Sequence, residues 1–150
     1  MTSLKRILLV EDSPRDAELI LDALNANQLA NKVVHVRDGA DAMDYLYRRG
    51  EFAGRTDSQP ALMLLDLKLP KVDGLEVLRQ IKGDPALQTI PVVMMTSSRE
   101  ESDLVHSYQL GVNAYVVKPM KFQDFVEAVK QVGIFWAVIN EVPPGNVHST

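Results

Sequence analysis

The chain contains no cysteine, one tryptophan and only three histidines. Without cysteine there is no disulfide, no thiolate metal site and no thiol nucleophile, which accords with a cytoplasmic location. An excess of basic residues is also missing. Lys and Arg number 16 against 20 acids, for a net charge of -4 and a pI near 5.3, so no broad cationic face is expected for DNA or RNA. Long apolar runs are absent as well. The start, MTSLKRILLVEDS, places four apolar residues between two basic and two acidic ones, too few for a signal peptide, and no segment approaches a membrane span. His35, His106 and His148 are scattered over a strand, a helix and the tail, so none reads as a ligand or phosphoacceptor. No G-x-x-x-x-G-K-[ST] loop, G-x-G-x-x-G turn or G-x-S-x-G elbow occurs, which disfavours nucleotide hydrolases, dinucleotide enzymes and α/β-hydrolases.

What is there has a regular order. The 150 residues are 46% hydrophobic and 24% charged, the profile of one globular domain with a sizeable core. Four short apolar runs each stop at a polar residue: ILLV (7–10) before Glu11-Asp12, ALMLL (61–65) before Asp66, VVMM (92–95) before Thr96, and AYVV (114–117) before Lys118. KVVHV (32–36) is a weaker fifth. Such runs read as strands buried on both faces. Segments with helical spacing lie between them. One starts at Ser13-Pro14 and carries Ala17, Ile20, Leu21 and Leu24; a second covers 39–49; a third, with Leu75, Leu78 and Ile81, stops at Gly83-Asp84-Pro85. A more polar one runs over 99–110, and a last one opens with Phe122, Phe125, Val126 and Val129. Alternation of strand and helix predicts an α/β layer fold with a mainly parallel sheet. The stretch 50–60, GEFAGRTDSQP, reads as a long polar loop, and 141–150 as a flexible tail.

In a parallel sheet the polar residues that end these runs fall on one edge, where ligands of such sheets bind. Asp66 alone would read as a solvated strand end. Together with Glu11, Asp12, Thr96 and Lys118 it reads as chemistry. Two carboxylates about 4 Å apart repel by about 4 kcal/mol at an effective dielectric of 20, so converging acids call for a cation. With oxygen ligands and no His or Cys nearby, Mg²⁺ suits best. Bound Mg²⁺ favours a phosphoryl group, with Lys118 as point charge, Thr96 as hydroxyl donor and Asp66 as the carboxylate that forms an aspartyl phosphate.

The acidic pair Glu11-Asp12, the segment LLDLKLPKVDG, the Thr96-Ser97 step and AYVVKP around Lys118 together resemble a response-regulator receiver domain over about residues 4–133. The resemblance implies a flavodoxin-like, doubly wound five-stranded parallel sheet of order 2-1-3-4-5 with five helices. It also implies phosphoryl transfer from a histidine kinase to Asp66. Its metal site would fall on Asp12 directly, Glu11 through water, the Asp66 carboxylate and the backbone carbonyl of Lys68. Thr96 and Lys118 would bind the phosphoryl oxygens, Lys118-Pro119 would be a cis peptide, and Thr96 and Tyr115 would form the switch. Lys68 and Ser98 would influence the phosphoryl lifetime. The domain would be a signalling protein rather than an enzyme, its only chemistry being its own phosphorylation and dephosphorylation.

From Lys121 to Asn140 only Gly133 interrupts a helical pattern, and VGIFWAVI is apolar all round. An extended C-terminal helix is expected, completing a single domain over 1–140, with Phe135, Trp136, Val138 and Ile139 packing against a second copy. The IFW run followed by NEVPP, with the 50–60 loop, resembles the single-domain response regulators associated with bacterial and cyanobacterial phytochromes, which would make a bacteriophytochrome the kinase. With no residues left over for an output domain, a stand-alone relay acting through protein partners is expected. The rival is a non-catalytic dimeric scaffold of the same fold.

Overall fold

The computed structural model describes residues 6–25, 29, 32–69, 72–96, 112 and 114–131. Within them lie five strands and four α-helices: β1 (Ile7–Val10), α1 (Pro14–Asn25), β2 (Val33–Val36), α2 (Gly39–Tyr47), β3 (Leu62–Asp66), α3 (Gly74–Lys82), β4 (Val92–Thr96), β5 (Ala114–Val117) and α4 (Phe122–Gln131). All strand pairs are parallel, and the sheet order is β2-β1-β3-β4-β5. The helix expected over 99–110 and the extension of the last helix to Asn140 lie outside the described residues.

Side chains alternate across a strand, so each strand feeds two cores. Leu8, Val10, Met63, Leu65, Val92 and Met94 face one side and pack with α2 and α3 through Met43, Leu46, Val77 and Ile81. Ile7, Leu9, Leu62, Leu64, Val93 and Met95 face the other and pack with α1 and α4 through Ile20, Leu24, Phe125 and Val129. This double burial explains the apolar runs without alternation.

The helix starts are set locally. Ser13 Oγ accepts from the Asp16 amide at 3.2 Å ahead of Pro14, Asp38 Oδ1 from Asp41 at 2.8 Å, and Asp73 Oδ1 from Glu76 at 3.0 Å; each satisfies an amide with no partner inside its helix. α2 stops at Tyr47 rather than Arg49 because Arg48 turns left-handed, with φ of 55°, and its amide closes on carbonyls of the last turn.

β3 and β4 each run one residue further than their apolar runs. Asp66 pairs with Met95 and Thr96 with Val117. The polar residue takes the last rung of the ladder because its backbone still has a neighbour to bond, and its side chain then projects from the sheet edge.

Loop 50–60 is ordered around one side chain. The Arg55 side chain, 8% exposed, donates to the Tyr45 carbonyl, the Asp57 carbonyl and carboxylate, the Ser58 carbonyl and Gln59 Oε1. Its guanidinium carbon lies 3.9 Å from the Tyr45 ring centroid, a cation–π placement. Among the described residues no helix is long and apolar enough to cross a membrane.

Candidate functional site

The carboxyl ends of β1, β3, β4 and β5 bring Glu11, Asp66, Thr96 and Lys118 together. Lys118 N donates to the Thr96 carbonyl at 2.7 Å, which fixes the lysine where β5 leaves the sheet, and Lys118–Pro119 is cis. Lys118 Nζ then reaches Asp66 Oδ2 at 3.2 Å, Glu11 Oε1 at 3.0 Å and Asp16 Oδ2 at 3.0 Å. Asp66 Oδ1 accepts from the Lys68 amide at 3.3 Å. Glu11 Oε2 accepts from the Ser13 amide at 3.1 Å.

Asp16 escapes the sequence reading. It sits in the first turn of α1, not at a strand end, with its amide bonded to Ser13 Oγ and its carboxylate to Lys118 Nζ. The available signal was an acid at the third position of a helix that begins directly after Glu11-Asp12. His35, set aside as a ligand, supports the site differently. Its Nε2 lies 2.8 Å from the Glu11 carbonyl oxygen, and since a carbonyl only accepts, this nitrogen carries the proton.

Glu11, Asp66 and Thr96 are buried, whereas Asp12 and Lys68 are exposed at the rim. Burial first, and the Asp66 charge second, push the Glu11 carboxyl up to about 7, although the Lys118 bond pulls the other way. Burial by itself would lower Lys118; the bonds to Asp16 and Glu11 and the charge of Asp66 outweigh it and hold the ammonium above the ordinary lysine range. Three carboxylates around one ammonium leave negative charge in excess, and the acids still repel one another through it.

Tyr115 is half-buried on β5 and packs against the α2–α3 core. Ser98, Phe135, Trp136, Val138 and Ile139 lie outside the described residues.

Gly74 explains the end of the LLDLKLPKVDG segment. A Cβ there would stand 2.2 Å from the Asp66 carbonyl oxygen and 2.7 Å from that of Leu67, and the Gly74 amide donates to the Leu67 carbonyl at 3.1 Å. Only a residue without a side chain lets α3 start this close to the strand that carries Asp66.

The donor set suits a hard divalent cation: carboxylate oxygens, excess negative charge and, among the described residues, no sulfur or imidazole directed at it. Among the described residues no three acids or histidines form a ready-made cage; Lys118 is what joins the buried acids.

The family model for the response regulator receiver domain matches residues 7–130. Response regulator Rcp1 of Synechocystis sp. is 42% identical over 132 residues, which are 88% of each chain. A solved Mn²⁺-bound form of response regulator Rcp1 is similar at 40% identity and a TM-score of 0.72, covering 93% of this chain and 97% of that one. The bacteriophytochrome response regulator RtBRR is 62% identical with a TM-score of 0.83, over 95% of this chain and 86% of that one. The phosphorylated cyanobacterial phytochrome response regulator RcpA is 47% identical with a TM-score of 0.73, over 89% and 94%.

Proposed function

Since this chain belongs to the response regulator receiver family, we propose that Asp66 is its phosphoacceptor, that the donor is the phosphohistidine of a histidine kinase, and that this kinase is a bacteriophytochrome. The observation that carries the acceptor role is the buried Asp66 carboxylate held between Lys118 Nζ and the Lys68 amide. The phytochrome link rests on similarity to RtBRR and RcpA.

In the transfer, an Asp66 carboxylate oxygen attacks phosphorus. The new P–O bond forms as the P–N bond to the kinase imidazole breaks, and its electron pair leaves on the ring nitrogen. Asp12 and Asp66, with Glu11 through water and the Lys68 carbonyl, would hold Mg²⁺. Bound Mg²⁺ supplies positive charge that offsets repulsion between carboxylate and phosphoryl oxygens. Lys118 fixes the orientation of Asp66 and offers its ammonium to a phosphoryl oxygen, while Thr96, ending β4, offers its hydroxyl to another. A Thr96 drawn inwards lets Tyr115 on neighbouring β5 change its packing, which alters the face seen by partners.

The chain acts as a cytoplasmic relay and not as an enzyme on a separate substrate, with no role in binding nucleic acid or membrane. In the same reading residues 1–140 make up one domain, and two copies pair through the apolar run that holds Phe135, Trp136, Val138 and Ile139. Trp136→Glu should give a monomer by light scattering at micromolar concentration; an unchanged mass removes Trp136 from the contact.

Intact mass after incubation with Mg²⁺ and acetyl phosphate tests the acceptor. Gain of one phosphoryl group by the wild type and none by Asp66→Asn is expected. No gain in either, with metal binding confirmed, would leave the non-catalytic scaffold. Faster labelling by an autophosphorylated bacteriophytochrome than by an unrelated histidine kinase is the result expected for the partner.

A further inference from the structure

An ammonium group has three protons and no acceptor, and all three Lys118 protons have carboxylate acceptors: Glu11, Asp16 and Asp66 at 3.0, 3.0 and 3.2 Å. A phosphoryl group on Asp66 would add three strong acceptor oxygens and up to about two negative charges. With phosphorus on Asp66 Oδ1, Oδ2 remains as the acyl carbonyl that accepts from Lys118, so the ammonium can bond the phosphoryl group only by giving up one of its present partners.

The three partners are not equal. The Glu11 side chain is 1% exposed, and its second oxygen is held by the Ser13 amide. The Asp66 side chain is 8% exposed and is the acceptor itself. The Asp16 side chain is 35% exposed and stands on α1, outside the sheet. Rotating it towards water exchanges one bond for hydration, whereas releasing Glu11 leaves a buried polar group without that partner.

We infer that Asp16 is a positioning residue acting through Lys118: it holds one ammonium proton in the resting domain, yields it when a phosphoryl group on Asp66 takes Lys118, and thereby opposes retention of that group. This rests on Asp66 being the phosphoacceptor. Its negative charge acts in the same direction, since it stands on the same ammonium that the incoming anion must approach. Residue 16 therefore sets the balance between a resting and a loaded site without touching phosphorus.

The probe is beryllofluoride, titrated in the presence of Mg²⁺ and followed by ¹⁹F NMR, into the wild type, Asp16→Asn, Asp16→Ala and Glu18→Gln, with Asp66→Asn as blank. Glu18 is an exposed acid on the same helix, so its variant reports the effect of net charge alone. Asp16→Ala should bind about threefold tighter or more, the scale of one partly exposed charge-assisted bond. Asp16→Asn, which keeps an acceptor of the same shape, should fall between it and the wild type, and Glu18→Gln should match the wild type. The Lys118 ammonium protons should exchange slowly in the resting wild type and faster in Asp16→Ala. Equal or weaker binding by both Asp16 variants overturns the inference, and so does a gain shared by Glu18→Gln. No binding by the wild type itself would instead remove the phosphoacceptor reading on which the inference stands.

Discussion

Lys118 Nζ lies 3.2 Å from Asp66 Oδ2, although 52 residues separate them in the chain. The contact exists because β3, β4 and β5 are adjacent and parallel, so their carboxyl ends are neighbours. Lys118→Ala should leave Glu11 and Asp66 facing each other without their shared cation and destabilise the metal-free protein by about 3 kcal/mol, the cost of breaking a buried pair. Mg²⁺ should narrow that deficit by replacing the lost charge. Urea midpoints in EDTA and in Mg²⁺ check this; a deficit equal in both would mean that the acids do not share a cation site.

Gly74→Ala should damage the site without altering any of its side chains. The added methyl meets the Asp66 and Leu67 carbonyl oxygens, and relief requires α3 or the end of β3 to move, at about 3 kcal/mol or more. Loss of the phosphoryl mass gain with a retained α/β circular dichroism spectrum is the expected pattern. Gly54→Ala, where a Cβ meets nothing within 4 Å, should behave as wild type.

Arg55→Lys should loosen residues 50–60 while sparing the sheet. A lysine keeps the charge but loses the fork that bonds several loop groups at once. Hydrogen exchange by mass spectrometry should show faster labelling of 50–60 with unchanged protection in β1 and β3. Beneath Arg55, the Tyr45 hydroxyl is buried with no hydrogen-bond partner among the described residues. Tyr45→Phe keeps the ring and removes the unsatisfied group, so it should raise stability by about 1 kcal/mol.

A pH-dependent contact links α2 to the turn after α3. The Tyr47 hydroxyl donates to Asp84 Oδ2. That bond first, and the Ala86 amide second, hold the Asp84 carboxyl below the usual range; the same bond, with some burial, raises the Tyr47 hydroxyl. The Asp84 contribution is in place above the unfolded carboxyl pKa of about 4 and is lost as pH falls through the lowered folded value. The Tyr47 contribution is in place below about pH 10 and is lost as pH rises through the raised value. Wild type and Tyr47→Phe should therefore differ most at neutral pH and converge towards both extremes. Urea midpoints across the range are the check; a difference independent of pH would show packing alone at work.

The strands were legible because parallel strands buried on both faces leave unbroken apolar runs, and the site was legible because each run ends at a polar residue. What the sequence concealed depends on three dimensions. Asp16 joins the lysine from the first turn of a helix, and its spacing from Lys118 carries no pattern. Arg55 looks like one more charge in a polar loop until the Tyr45 carbonyl and ring are seen beside it. The last rungs at Asp66 and Thr96 belong to strand pairing, which hydrophobicity does not record.

The strand order also divides the sheet mechanically. Asp66 belongs to β3, braced by β1 on one side and β4 on the other, while Tyr115 belongs to β5, which among the described residues is laddered to β4 alone. A movement at β5 has to break one set of rungs; a movement at β3 has to break two. Among the described residues the sheet is thus built like a vice with one fixed jaw: Asp66 sits where rungs grip from both sides, Tyr115 where they grip from one.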